Sequence, residues 1–503
     1  MSNKISKIGF VLGPFFYMVI LLFCDLDPLK LSVTHTAAVA TLMAVWWITE
    51  AIPIAITALL PLVFFPMLGI MSGQDVAPIY FNHIIFLFIG GFIVALAMQK
   101  WDLHKRIALK ILMVFGVRPK NILAGFMIAT AFLSMWISNT ATTMMMIPIV
   151  LSVILKLEEL LGIDKINKYS IGVFLGVAYS ASIGGISTLV GTPPNLSFSR
   201  ILIICFPAAP EISFGSWFVF ALPLSLLLLL IVWIFFVVLF CPKTVDFQID
   251  KDTFKKQYKE LGEITFEQVI VFLIFIMLAF LWLFRADIKL GSFTIPGWSN
   301  IFPNPKFITD GSIAIFMGIQ LFLIPSRTKK GEMLMDWEAV SRLPWNIVLL
   351  FGGGFALASG FKTSGLSEWF GNQLIWVSAF HPILIVMVVC LLISFLTELT
   401  SNTATAEIFL PILAALAVTM KVNPLLLMIP ATLSCSFAFM LPVATPPNAI
   451  VFGTGKIKMS DMVKAGIWLN LIGVVLITLA IVILGKLVFG IDIKEFPMWA
   501  IMP

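Results

Sequence analysis

Ser138-Asn139-Thr140-Ala141-Thr142 interrupts an apolar stretch over residues 120–156, and the same five residues return at 401–405 inside a second apolar stretch, 382–418. Hydroxyl and amide groups are costly in an apolar environment unless they find hydrogen-bonding partners. Each stretch is long enough for two short helices. We therefore predict a helical hairpin with a polar tip at each place, rather than one continuous helix.

The two copies belong to an internal repeat with an offset of 263 positions, from Ser138 to Ser401. The same offset relates Gly90-Gly91-Phe92 to Gly353-Gly354-Phe355, and Ser134 to Thr397. Thr-Pro-Pro-Asn occupies residues 192–195 and returns at 445–448, an offset of 253. Three elements in the same order indicate two related halves.

The composition places these halves in a membrane. Of 503 residues, 60% are hydrophobic and only 12% are charged, against about 25% charged in soluble domains. The chain is predicted to be an all-α polytopic membrane protein. Its net charge of +6 comes from basic loops, which favours membrane orientation over nucleic-acid binding. The five cysteines show no paired spacing.

About eleven spans are predicted besides the two hairpins, with the first retained rather than cleaved as a signal peptide. The basic loops place the N-terminus in the cytoplasm and the C-terminus outside, so the hairpins enter from opposite sides and the halves have inverted topology. The charged loops 242–264 and 326–344 are predicted to be cytoplasmic surface segments. The predicted spans are 7–24, 33–50, 52–71, 83–110, 168–203, 216–241, 266–285, 308–325, 345–370, 425–452 and 465–489.

Two of these spans should be broken near mid-membrane, because each Thr-Pro-Pro-Asn motif removes two backbone donors. The segments are 168–203 and 425–452, and Asn195 and Asn448 are their matched polar residues. A break or hairpin tip exposes N–H groups that suit an anion and carbonyl groups that suit a hard monovalent cation. Discontinuous helices in matching positions of two halves indicate a transporter's binding site.

Neither motif contains a basic residue, so a doubly charged anion needs countercharge. Co-bound cations could supply it, as could His83, Lys100 or Lys362, although the two lysines fall near span ends. Glu50, Glu398 and Glu407 could carry protons, but capping or pairing is the preferred interpretation. The positions that match Glu398 and Glu407 near the first tip hold Met135 and Met144.

The stretch from Cys435 to Val451, with Phe439 and Pro442, resembles the sodium:sulfate signature of the divalent anion:sodium symporter family. Residues 47–53 and the paired Ser-Asn-Thr motifs are similar to that family as well, and the resemblance runs from about residue 35 to the C-terminus. It implies a homodimer in which a mobile transport domain moves like an elevator against a static scaffold. The implied parts are scaffold 1–110 and 206–376, transport domain 111–205 and 377–489, and a tail, 490–503.

The resemblance also implies the site residues. Carboxylates of the substrate would bind Ser138, Asn139, Thr140, Ser401, Asn402, Thr403, Thr445 and Pro446. One sodium ion would lie near Ser134, Ser138, Asn139 and Gly191, and a second near Thr397, Thr400, Asn402 and Ala444.

The expected function is secondary active transport of small dicarboxylates of the succinate, malate, fumarate and 2-oxoglutarate class in a bacterial plasma membrane. Na⁺ is the possible coupling ion, and no other cofactor or nucleic-acid partner is expected. A sodium-independent dicarboxylate exchanger and a sulfate or citrate transporter remain alternatives. An intramembrane enzyme would need metal ligands or a nucleophile–base pair, and the four histidines lack such spacing; a channel suits two closing tips less well.

Asn139→Ala and Asn402→Ala are each expected to abolish dicarboxylate uptake in proteoliposomes, because each removes an amide from a polar tip. The amount of folded protein in the membrane should be unchanged, as judged from a monodisperse peak of the solubilised protein in gel filtration. Uptake near the wild-type rate by either variant would contradict the assigned site.

Overall fold

The computed structural model describes residues 2–115, 118–241, 252–493 and 495–501, and in these ranges the chain is helical almost throughout. The α-helices are α1 Ser2–Phe23, α2 Leu31–Thr49, α3 Ile54–Thr57, α4 Leu60–Met67, α5 Gly73–Val76, α6 His83–Lys100, α7 Leu103–Phe115, α8 Pro119–Ser134, α9 Asn139–Leu161, α10 Ile163–Gly185, α11 Pro193–Cys205, α12 Phe214–Phe240, α13 Asp252–Glu260, α14 Phe266–Leu283, α15 Asp310–Leu323, α16 Trp337–Ser341, α17 Trp345–Ser364, α18 Leu366–Gln373, α19 Pro382–Leu396, α20 Asn402–Thr419, α21 Pro424–Ser434, α22 Pro446–Gly453 and α23 Met459–Phe489. Short 3₁₀ helices lie at Ala77–Tyr80, Trp298–Ile301, Pro305–Phe307, Ile375–Ala379 and Met498–Ala500. Strands β1 Ile288–Leu290 and β2 Phe293–Ile295 pair antiparallel.

Within the described ranges, eight helical segments are long and apolar enough to cross a membrane. They are Lys4–Phe23, Leu31–Thr49, Gly73–Lys100, Phe214–Phe240, Phe266–Leu283, Trp345–Ser364, Asn402–Thr419 and Met459–Phe489. The chain is therefore a multi-pass helical membrane protein, as predicted, while the number of eleven spans stays a prediction.

Three predicted continuous spans were wrong. The segment 345–370 divides at Gly365, whose φ is 87°, into α17 and α18. The segment 83–110 divides after Lys100, where Asp102 adopts a left-handed φ of 53° and α7 starts in a new direction. The segment 52–71 divides into α3 and α4. Of the two charged loops, residues 242–251 lie outside the described ranges, and the remainder contain α13 and α16.

Both predicted hairpins are confirmed as pairs of helices joined by a short tip. Helix α8 ends at Ser134 and α9 begins at Asn139, with Ser138 as its N-cap accepting from the Ala141 amide at 3.2 Å. Helices α19 and α20 form the second hairpin, with Ser401 at the N-cap of α20 but without a capping hydrogen bond from its side chain. Serine is common at the N-cap because its side-chain oxygen can accept a hydrogen bond from an unpaired amide of the first helical turn.

Both predicted helix breaks are confirmed too. Helix α10 ends at Gly185 and α11 begins at Pro193, and residues 186–192 between them form the first break loop. Helix α21 ends at Ser434 and α22 begins at Pro446, so residues 435–445 form the second break loop. A proline at the first helical position costs no hydrogen bond, which explains where α11 and α22 start.

The paired glycine motifs connect the two halves of the chain. Gly90 on α6 lies against Ala314 of α15, and Gly353 on α17 lies against Ala58 between α3 and α4. The next glycine of each motif faces a repeated polar segment instead. Gly91 lies near Val190 of the first break loop, and Gly354 lies directly against the carboxyl of Glu407 on α20.

Helix α12 packs mainly on α10 and α23. Its Trp217 indole donates to the Ile186 carbonyl at 3.0 Å, and the Ser225 hydroxyl donates to the Ile183 carbonyl at 2.7 Å. The domain boundary at residue 206, which the family resemblance implies, would place α12 in the scaffold and α10 and α23 in the transport domain.

The N-terminus of α12 is held by a buried ion cluster. The Phe214 amide donates to the Asp310 carboxylate at 3.0 Å, and the same carboxylate pairs with Arg285. Arg285 also pairs with Glu211, just before α12. This cluster joins α12 to the segment between α14 and α15.

Gly354→Ala is expected to lower stability by about 1–3 kcal/mol, because the new Cβ would overlap the buried Glu407 carboxyl. Gly91→Ala is the matched control. Its Cβ would meet Trp282 at 3.1 Å and Val190 at 3.6 Å, which needs only a small adjustment. Thermal unfolding in detergent measures both, and equal midpoints for the two variants would contradict the difference in packing.

Candidate functional site

The two break loops meet inside the protein. The Thr192 hydroxyl of the first loop lies 3.3 Å from the Ser436 hydroxyl of the second. Helix α11 packs against α20 of the second hairpin, and α22 packs against α9 of the first. Each half therefore supplies its broken helix to the other half's hairpin, and the polar segments form one region.

The first tip is organised around the side chain of Asn139. The Ser134 hydroxyl donates to Asn139 Oδ1 at 2.5 Å. A Cβ on Gly185 would come within 2.6 Å of the same oxygen, so the end of α10 approaches the tip closely. Gly191 packs on Gly185, and its amide donates to the Thr188 hydroxyl at 3.0 Å. The structure thus brings Ser134, Asn139 and Gly191 together with Ser138.

The second tip has the same plan with different details. The Thr397 hydroxyl lies 2.6 Å from Asn402 Oδ1 and 2.9 Å from the Cys435 carbonyl oxygen. Thr400 interacts with the Thr405 hydroxyl at 2.7 Å. The oxygen-rich contact around Asn402 therefore includes the carbonyl of Cys435, which sequence reasoning did not single out.

The remaining predicted site residues lie around the tips. Thr140 and Ser401 are half-buried, Thr403 is buried, and Pro446 is exposed at the start of α22. Thr445 is the N-cap of α22 and accepts from the Asn448 amide at 3.3 Å. Ala444 donates its amide to the Leu441 carbonyl, and its small side chain is buried.

Asn195 and Asn448 brace the break loops. The Asn195 amide donates to the carbonyls of Ile186 and Thr188, at 3.3 and 2.7 Å. Asn448 donates to Ala438 and Leu441, both at 3.0 Å. Both side chains are fully buried. The matched asparagines satisfy carbonyl groups that the helix breaks expose, a function that the sequence indicated only by their repetition.

Glu398 stabilises the backbone amides of the second break loop, where Asn448 stabilises the carbonyls. Its carboxylate accepts from the backbone amides of Phe439, Met440 and Leu441 at 2.7 to 2.9 Å, and from the Asn470 side chain at 2.8 Å. Glu398 therefore has a structural function, but it braces amides of the second break loop and does not cap a helix. Because the position matching Glu398 in the first half is Met135, only the second break loop has this brace.

The two candidate lysines have other partners. Lys100 pairs with Asp336 at 2.6 Å, and this hydrogen bond lowers the pKa of the Asp336 carboxyl. Lys362 donates to the Ile204 carbonyl at the C-terminus of α11, at 3.0 Å, and His83 begins α6. None of the ion pairs formed by described residues involves a tip residue.

Four helices, α9, α11, α20 and α22, begin in this region. Their N-terminal amides carry partial positive charge and suit an anion. Neutral hydroxyl, amide and carbonyl oxygens lie beside them and suit a hard cation such as Na⁺. In the described ranges there is no cluster of His, Cys, Asp or Glu that would hold a transition metal. The fold and the site define a membrane transporter of the broken-helix type.

Comparison with known proteins identifies the family. Residues 6–491 match the family described as the sodium:sulfate symporter transmembrane region, and the chain belongs to this family. It is a transporter rather than an enzyme. The resemblance found in the signature around residues 435–451 is thus confirmed.

Two curated relatives match almost the whole chain. A sodium-dependent dicarboxylate transporter of Staphylococcus saprophyticus is 43% identical over 98% of this chain and 94% of its own length. A protein of the same description from Staphylococcus aureus is 42% identical over 97% of this chain and 93% of its length.

Solved structures support the fold alone. The YdaH transporter of Alcanivorax borkumensis has a TM-score of 0.56 at 14% identity, covering 84% of this chain and 88% of its own. MtrF of Neisseria gonorrhoeae, from a class of antimetabolite efflux pumps, also gives 0.56 at 14% identity and covers 87% of each chain.

Glu398→Ala is expected to destabilise the protein by about 3 kcal/mol or more, because it leaves three backbone amides and the Asn470 amide without their acceptor. Glu338→Ala, at an exposed pair with Arg342, should change stability by less than about 1 kcal/mol. Thermal unfolding in detergent checks both. A small effect at Glu398 would contradict its function as a brace.

Proposed function

We propose that the protein is a sodium-coupled transporter of small dicarboxylates of the succinate, malate, fumarate and 2-oxoglutarate class. The observation that carries the proposal is the meeting of two polar tips and two break loops in one region, where neither the tips nor the loops contain a basic residue. A dianion held only by neutral groups is unstable in a low-dielectric site, so cations must enter with it. The descriptions of the staphylococcal relatives support this coupling.

In this proposal the N-terminal turns of α9 and α20 bind the two carboxylates of the substrate. The residues are Ser138, Asn139 and Thr140 at the first tip, Ser401, Asn402 and Thr403 at the second, and Thr445 and Pro446 at the start of α22. A carboxylate is stabilised by the unpaired amides and the hydroxyls of such a turn.

Two sodium ions would lie behind the tips. Asn139 Oδ1 and the Ser134 hydroxyl are already 2.5 Å apart beside Gly191, with Ser138 adjacent. Asn402 Oδ1, the Thr397 hydroxyl and the Cys435 carbonyl form the matching group beside Thr400 and Ala444. Each sodium ion would order a tip, and so prepare the amides for the anion.

Movement of the site across the membrane would follow the elevator scheme. The hairpins and broken helices are interlocked and would move as one body, and α12 belongs with them because it binds the first break loop. Helices α2–α6, α14, α15 and α17 would form the static scaffold of a homodimer in a bacterial plasma membrane. The N-terminus would be cytoplasmic and the C-terminus outside.

A second candidate is sodium-independent exchange of dicarboxylates, which the same tips would permit if a scaffold charge approached the substrate in another conformation. The anion itself could also be sulfate or citrate, since neutral donors do not discriminate strongly by charge alone. The oxygen groups around Asn139 and Asn402 favour sodium coupling, and the descriptions of the staphylococcal relatives favour a dicarboxylate.

The test is uptake of labelled succinate into proteoliposomes with Na⁺ or K⁺ outside, with and without internal succinate. We expect uptake that needs external Na⁺ and proceeds into empty vesicles. Thr397→Val should raise the sodium concentration for half-maximal uptake at least about tenfold, because it removes one oxygen ligand. The exposed Ser378→Ala is the control. Uptake that ignores Na⁺ and requires internal succinate would establish exchange instead.

A further inference from the structure

Glu407 is a buried acid that the proposed transport site does not use. Its side chain has 0% exposure. One carboxyl oxygen, Oε1, accepts from the Ser197 hydroxyl of α11. The other, Oε2, is buried and has no hydrogen-bonding partner among the described residues.

The unpartnered oxygen lies at the boundary between the body proposed to move and the proposed scaffold. It lies directly against Gly354 of α17, so closely that a Cβ there would overlap it. Glu407 and Ser197 belong to the mobile body, and Gly354 belongs to the scaffold. Any sliding of α20 along α17 therefore changes the environment of this carboxyl.

The described elements around Glu407 supply no cation that forms an ion pair with it. Helix α20 packs against α2, α11, α17, α18, α21 and the 3₁₀ helix Ile375–Ala379. None of the ion pairs among the described residues includes Glu407. The titratable groups on these elements or at their caps are Lys30, His35, Glu50, Arg200, Cys205, Lys362, Glu368 and Cys435.

Several of those groups are already occupied. His35 bonds to the Leu68 carbonyl, Lys362 donates to Ile204, and Glu368 pairs with Lys30. An ionised carboxylate buried without a countercharge costs far more than protonation does. The carboxyl in this position is therefore held as the neutral acid.

We propose that Glu407 is a proton-binding site of the transport cycle. Its carboxyl holds one proton while α20 lies against α17, and exchanges that proton with water when sliding separates the two helices. The step is a simple transfer between carboxyl and water, and it needs no other reactant. The inference rests on the proposed transport function. It adds H⁺ as a further ligand, besides the dicarboxylate and Na⁺, at a place outside the sodium sites.

The repeat limits this site to one per chain. The residue matching Glu407 at the offset of 263 is Met144, which is 60% exposed and cannot bind a proton. At most one proton per chain would therefore join the cycle through these paired positions.

The first experiment compares wild type with Glu407→Gln, a neutral isostere that mimics the protonated acid permanently. Sodium-driven uptake of labelled succinate is measured from pH 6 to pH 9, and the ratio of variant to wild type cancels the protonation of succinate itself. The ratio should stay near one at acid pH and rise at least about threefold at alkaline pH, where wild type must recover a proton in each cycle. Glu368→Gln, at an exposed acid, should follow wild type throughout.

The second experiment uses the unaltered protein. Sodium and succinate are added at pH 8 to purified wild type in weakly buffered detergent, and an indicator dye follows proton release or uptake. We expect a measurable exchange of no more than one proton per chain for wild type. We expect none for Glu407→Met, which has the methionine found at the matching position 144 of the first half. Parallel pH profiles for wild type and Glu407→Gln would overturn the proposal, and so would wild type that exchanges no proton. Wild type that takes up no succinate with sodium would instead refute the transport function.

Discussion

The structure depends on satisfying the backbone where helices stop inside a membrane. A hydrocarbon environment offers no water to an interrupted helix, so each freed amide and carbonyl needs a partner within the protein. Asn195 and Asn448 supply donors to the carbonyls of the two break loops, and Glu398 supplies an acceptor to three amides of the second. The polar tips can remain available for ligands because other residues hold the backbone around them.

The two halves complete one another rather than forming separate sites. Ser197 of the first half bonds Glu407 of the second, Tyr179 bonds the Phe439 carbonyl, and Thr192 contacts Ser436. A similar exchange holds for the paired glycines, where Gly90 and Gly353 each pack on a helix or turn of the opposite half. Neither half alone has the packing to keep its broken helix in place, which explains why the motifs occur twice in the same order.

Much of the site was predictable from sequence because its signal is local. A polar motif inside an apolar stretch, or two prolines in succession, determines by itself where a helix stops, and the four predicted interruptions occur at those motifs. The missed features depend on residues far apart in sequence. The carbonyl of Cys435 approaches Thr397 only through folding, and Glu398 braces residues 439–441 across a separation that no periodicity reveals. The division of 83–110 does have a local signal, because Lys100, Asp102 and Lys105 interrupt the apolar run where α6 ends and α7 begins.

The ion cluster at the start of α12 has a mechanical meaning if that helix travels with the hairpins. The Asp310 carboxylate binds both Arg285 and the Phe214 amide, and the Arg285 side chain is only 3% exposed. Departure of α12 would separate Glu211 from Arg285 and remove an amide from Asp310, while the Arg285–Asp310 pair stayed behind in the scaffold. The N-terminal end of α12 would then act as a latch with a defined resting position, and its release would set a threshold that the free energy of ligand binding has to exceed.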